Sequence, residues 1–200
     1  MNSLLSVLMS LSLLLCQPAV VPPAAHPAQQ PGVHTAENPF FTQSEAIELS
    51  LSLPLAAVLS DRGARPRLHP ATLAYQTAAA TTKTMAVQVQ VRGNRRKDPA
   101  VCGFPPLLVK FAPEAPPGTL FGPATELKLT THCLADKYTL REYLVYKLYN
   151  ALTDISYRVR LCRITYRDNG GRANATVRYA FFLESTEALA RRNQVKVVPK

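Results

Sequence analysis

The stretch from Thr139 to Glu184 constrains this chain more than any other, because capping, periodicity and turn chemistry agree within it. Thr139 and Glu142 stand three apart, the spacing of a capping box in which each side chain satisfies an N–H at a helix start. Leu140, Tyr143, Leu144, Leu148, Ala151 and Leu152 then share one face at helical period, with Arg141, Glu142, Lys147 and Asn150 mainly opposite. The spacing predicts an amphipathic helix over 139–153 whose leucines face a core. From Tyr157 to Tyr166 apolar residues alternate with arginines, and the phase changes at Cys162-Arg163, which predicts a strand with a bulge. Asp168-Asn169-Gly170-Gly171 is a turn sequence, and Val177, Tyr179, Phe181 and Leu183 supply the returning strand.

Upstream, Ile47, Leu49, Leu51 and Leu53 alternate with polar residues, as do Met85, Val87, Val89 and Val91. Shorter alternating runs follow at Leu107–Phe111 and Leu127–Thr131, and a weaker segment runs from His69-Pro70 to Tyr75. Leu55 to Leu59 reads as a short helical turn, and Thr186 to Lys200 as a short helix with a basic end. The expected fold is α+β: a mostly antiparallel sheet over residues 45–190 with one main amphipathic helix packed on it.

Leu4 to Cys16 is an uncharged apolar run, too short for a bilayer span but suited to the core of a signal peptide over 1–25. The Pro/Ala/Gln-rich residues 26–44 read as a flexible linker, and 191–200 as a basic tail. The expected location is therefore extracytoplasmic: periplasm, cell surface or medium. A lipid anchor at Cys16 is the lesser alternative, since Leu15 rather than a small residue precedes it. In that oxidising setting Cys102 and Cys133, both at segment edges, are the expected disulfide, and Cys162, inside an apolar strand, the free thiol.

A net charge of +10 gives the surface an affinity for polyanions. An anionic polymer or an acidic protein fits an exported chain as partner; nucleic acid does not. The loop Arg92-Gly93-Asn94-Arg95-Arg96-Lys97 gathers cations around a glycine, a composition that approaches anions closely. Arg158, Arg160, Arg163, Arg167, Arg172 and Arg178 form a second, strand-borne series, which reads either as a polyanion-binding stripe or, more commonly, as the water-facing side of the hairpin. Glu184, at a strand end, is a carboxylate suited to an ion pair. Neither His69 nor His132 has partners at catalytic or metal spacing, and no P-loop, nucleophile-elbow or zinc-protease pattern occurs. No catalytic or metal-binding residue is expected.

Several pieces come in the order seen in one family. These are Val91-Arg92-Gly93-Asn94, Phe104-Pro105-Pro106, Leu108-Val109-Lys110-Phe111, Glu126-Leu127-Lys128-Leu129, the run Leu140 to Leu148, and Val159 to Glu184. Together they resemble the N-terminal lobe of the spore-coat CotH kinase family and of exported bacterial proteins related to it. The resemblance implies a kinase-like N-terminal lobe that holds ATP with magnesium. It makes Arg92, Arg95, Lys110, Arg141 and Glu184 the nucleotide- or anion-contacting and ion-pair positions. Phosphoryl transfer needs carboxylates that hold metal and a base that positions the nucleophile. After Glu184 the chain offers Glu187 and no aspartate, so the expectation is a kinase-related domain without transfer activity as this chain: either a piece of a longer protein kinase or the fold used without catalysis.

Overall fold

The computed structural model describes residues 38–77, 79–111 and 118–198. The expected signal peptide, Cys16 and residues 26–37 of the linker lie outside the described residues, as do Pro113, Pro116 and Pro117. The elements in chain order are α1 (Pro39–Thr42), β1 (Ile47–Leu53), α2 (Leu55–Ser60), β2 (His69–Gln76), β3 (Thr82–Val91), β4 (Leu107–Phe111), β5 (Glu126–Thr130), α3 (Asp136–Leu152), β6 (Val159–Asp168), β7 (Thr176–Leu183) and α4 (Thr186–Arg192).

The strands close into a barrel in the order β1-β2-β3-β4-β5-β7-β6. This corrects the expectation of an open kinase-lobe-like α+β sheet under one main helix. Every neighbouring pair is antiparallel except the one that closes the ring. There β1 runs parallel to β6, with Ile47 opposite Cys162 and Leu53 opposite Asp168. A period-2 pattern sets which side chains of a strand face inward, but it carries no sign of which distant strand lies beside it. The closing pair joins segments more than a hundred residues apart, and no local signal marks it.

Alternate side chains from all seven strands fill the interior. Leu51, Leu73, Val89, Val109, Leu129, Ile164 and Phe182 are among those buried there, so the barrel is a packed core and not a channel. Phe40 of α1 plugs one end, its ring 5.0 Å from Phe121 and 5.6 Å from Phe182. The Asn38 side chain accepts from the Phe40 backbone N–H (3.0 Å) and donates to the Phe121 carbonyl (3.0 Å). Residues 38–42, assigned to the linker by composition, thus contribute the plug. Val58 of α2 is fully buried against the same core.

β6 pairs with β7 without interruption from Val159–Leu183 to Tyr166–Thr176, so the bulge expected at Cys162-Arg163 is absent. The phase change has a different cause. Val159 packs outward beneath α3, while Cys162, Ile164 and Tyr166 belong to the interior cluster. Both sides of the strand's start are covered. Arg160, expected on the water-facing side, is likewise buried, at 5% exposure. Its Nη2 donates to Gln43 Oε1 at 3.2 Å, and its Nε and Nη1 are buried with no partner among the described residues.

The main helix also departs from expectation. α3 begins at Asp136, with Ala135 before it and no side-chain cap. The capping box does not form: Thr139 Oγ1 donates to the Thr131 carbonyl at 2.9 Å, and Glu142 pairs with Arg96. The face against the barrel is made by Thr139, Tyr143, Tyr146 and Asn150. Tyr143 and Tyr146 set their rings 6.0 and 5.7 Å from Phe181. Asn150 Nδ2 donates to Ser156 Oγ (2.8 Å) and the Tyr157 carbonyl (2.9 Å). The predicted core leucines point the other way, with Leu144 62%, Leu148 61% and Leu152 73% exposed. Aromatic rings cover more area than leucines and their phenols tolerate a wet rim, which favours the tyrosine face over the leucine face against β6 and β7.

Candidate functional site

Val91 ends β3 pointing into the barrel, so Arg92 after it points out. The chain then turns through Gly93, whose φ of +96° is a conformation glycine adopts without strain. A 3-10 turn over Arg95–Lys97 follows. The loop is anchored at several points. Arg62 Nη1 donates to the Cys102 carbonyl at 2.6 Å, and Lys97 Nζ to the Gly63 carbonyl at 3.1 Å. The Cys102–Cys133 disulfide, in the pairing the sequence led us to expect, ties the loop's far end to the turn that precedes α3. Cys162 is the free and buried thiol.

The anchored loop lies beside α3. Arg96 and Glu142 form a fork, with Nη2–Oε2 at 2.8 Å and Nη1–Oε1 at 3.4 Å. Arg92 is half-buried in the same neighbourhood, next to Tyr146, Arg96, Glu142 and Tyr157. Burial is the main influence that lowers its pKa below the usual arginine range, opposed by Tyr146 and reinforced by Arg96. No group among the described residues accepts a hydrogen bond from its guanidinium. Burial likewise raises the Tyr146 phenol, with Glu142 adding to the effect. Lys128 lies 5.1 Å from the Tyr157 ring centre, and its Nζ is 3.0 Å from Thr186 Oγ1. The neighbourhood therefore holds guanidinium groups in excess of its one carboxylate, and that carboxylate is already engaged.

The other expected site residues are dispersed. Arg95 is exposed on the loop, and Arg141 is exposed on the outer side of α3. Lys110 lies on the outside of β4, its Nζ 3.6 Å from Glu126 Oε2. Glu184 is 5% exposed and fully committed. Its Oε1 accepts from Arg192 Nε (3.2 Å), and its Oε2 from Arg192 Nη2 (2.9 Å) and the Arg158 backbone N–H (3.1 Å). Arg192 also donates to the carbonyls of Asp154 (2.8 Å) and Ser156 (2.9 Å), so the pair joins α4 to the connector between α3 and β6. A cavity of about 380 Å³ adjoins it, lined in part by Glu126, Glu187 and Arg191.

Among the described residues no group of three His, Cys, Asp or Glu could hold a metal ion. His69 Nε2 lies 3.0 Å from Asp61 Oδ2, which also accepts from the Arg67 backbone N–H. His132 stacks on Phe104 at 4.7 Å, and its buried Nδ1 has no partner among the described residues. Burial, helped by Arg178, lowers its pKa to about 4, so the imidazole is neutral at pH 7. Sequence reasoning found the Arg92–Lys97 loop but missed Tyr146, Tyr157 and Lys128. Tyrosines at helical spacing on α3 were the one signal that could have indicated the first of these; Tyr157 and Lys128 lie on other segments. No family model, curated protein or solved structure matches the chain.

Proposed function

We propose that this chain is an exported, envelope-associated binding module that meets an anionic polymer through the Arg92–Arg96 loop, and that it does no chemistry of its own. The observation that carries the reading is Arg92: a half-buried guanidinium with no hydrogen-bond acceptor among the described residues, beside Arg96, on a loop fixed by a disulfide. A guanidinium held this way has lost part of its hydration and is positioned to donate a fork to a phosphate, sulfate or carboxylate. The disulfide accords with export, and no helix among the described residues is long and apolar enough to cross a membrane.

Calorimetric titration with polyphosphate and with heparin tests the reading. Arg92→Gln is expected to weaken binding roughly tenfold at low salt, the value of a charge-assisted hydrogen bond. Arg92→Gln combined with Arg96→Gln is expected to flatten the salt dependence. Equal affinity in wild type and double variant would overturn it. ATP with magnesium belongs in the same titration. A tighter response to the nucleotide than to either polymer, lost in Arg92→Gln, would favour the kinase-related descent instead.

A further inference from the structure

α3 leaves an uncovered side that its fold does not need. Tyr138, Leu144, Val145, Leu148, Tyr149 and Leu152 are all at least half exposed along it. Leu134 before the helix and Ile155 after it are exposed as well, at 66% and 67%. Scattered exposed leucines are ordinary on a soluble domain; Leu144, Val145, Leu148 and Leu152 instead share one side over the last turns of α3, with Lys137 and Arg141 in line with them on the turns before. The strip lies opposite Thr139 and Tyr143, the helix's buried residues. It is therefore a convex ridge and not a groove.

The charges on and beside the ridge identify what fits it. Lys137 and Arg141 are exposed and Lys147 half-exposed, and none has a carboxylate partner among the described residues. The acids of the same region are all engaged: Asp136 accepts from the Tyr179 backbone N–H, Glu142 holds Arg96, and Asp154 holds Arg158. A second copy would bring one set of cations against another with no free carboxylate to answer them. A surface that is apolar within and negative at its rim answers both features. Tyr138 and Tyr149 border the leucines, where a ring can sit at the apolar boundary with its hydroxyl in water.

We infer that the outer side of α3 is a peripheral membrane-docking surface, which lays Leu144, Leu148 and Leu152 into the headgroup region of an anionic bilayer while Lys137, Arg141 and Lys147 contact lipid phosphates. This goes beyond the polymer reading and stands on other residues. Arg92→Gln alone leaves both the ridge and the Arg96–Glu142 pair intact and is expected to leave docking in place.

The test is flotation of the whole protein with phosphatidylcholine vesicles, with and without phosphatidylglycerol. Binding is expected only where phosphatidylglycerol is present, and to weaken as salt rises. Leu148→Glu is expected to cut partitioning at least ~10-fold, because it sets a charge where apolar area must be buried. Arg141→Glu should lower it less. Circular dichroism checks that the variants stay folded, which exposed positions permit. Absence of binding to either vesicle overturns the inference. So does binding that Leu148→Glu leaves unchanged, or equal binding to neutral vesicles. A dimer in light scattering that Leu148→Glu dissociates, with no vesicle binding, overturns it in favour of self-association.

Discussion

Glu184→Gln separates a structural role for this carboxylate from a ligand-binding one. Glu184 accepts two hydrogen bonds from Arg192 and one from the Arg158 backbone, and both side chains of the pair are 7% exposed. Glutamine keeps one acceptor oxygen and leaves the Arg192 cation buried without a counter-charge. Removing one partner of a buried ion pair costs about 3–5 kcal/mol. For a domain of this size about 1 kcal/mol moves the midpoint by 2–4 °C, which translates into a fall in Tm of roughly 10 °C. Glu184→Leu with Arg192→Met removes both charges, yet strands the carbonyls of Asp154 and Ser156. The double variant should therefore be more stable than either single change and remain about 1–3 kcal/mol below wild type. Urea unfolding of wild type, Glu184→Leu, Arg192→Met and the double variant measures the cycle, with Glu184→Gln measured alongside. A loss under 1 kcal/mol for Glu184→Gln, or strictly additive losses, would refute the reasoning.

Three further outcomes are expected. His132 has a pKa of about 4 in the fold against 6.5 unfolded. Its contribution is then complete above pH 6.5, is lost as pH falls toward 4, and amounts to at most about 3 kcal/mol. Thermal melts of His132→Phe, which keeps the stack on Phe104, should lose that part of the pH dependence. Reduction of Cys102–Cys133, which closes a separation of 31 residues, should cost about 3.5 kcal/mol by chain entropy and raise proteolysis of the Arg92–Cys102 loop. Limited digestion with and without reductant measures it. Gly122 has φ +58°, and an added Cβ would stand 2.7 Å from Asn38 Oδ1. Gly122→Ala should lose at least ~1–2 kcal/mol in urea, since it strains the turn and displaces the plug's Asn38.

Strand positions were largely legible in the sequence, because alternation is a property of each strand alone. β1 at Ile47–Leu53 and β4 at Leu107–Phe111 fall where the alternation places them. Closure was not legible, since the pairing of Ile47 with Cys162 leaves no mark on either segment. The orientation of α3 failed for a different reason. A helix with tyrosines on one side and leucines on the other offers two apolar faces, and the hydropathy pattern ranks them by hydrophobicity and not by fit. Of the site, the basic loop was readable from composition. Glu184 was readable as half of an ion pair, but Arg192, its partner eight positions on, sits across a turn that only the tertiary fold defines.

The parallel closure also sets an order of events in time. β1 is made early, but Ile47 must wait 115 residues for Cys162 to be synthesised. At ~5–20 residues per second that is a delay of roughly 6–23 s. Through that interval one edge of β1 has unpaired N–H and C=O groups and a row of leucines beside them, a template for pairing with other chains. The β6–β7 hairpin is local and can form as soon as it is made, so ring closure should be the last and slowest step. A chain with this topology gains from a holding chaperone until β6 is complete. The sensitive residues for yield are then Ile47 to Leu53, although none of them belongs to a binding surface.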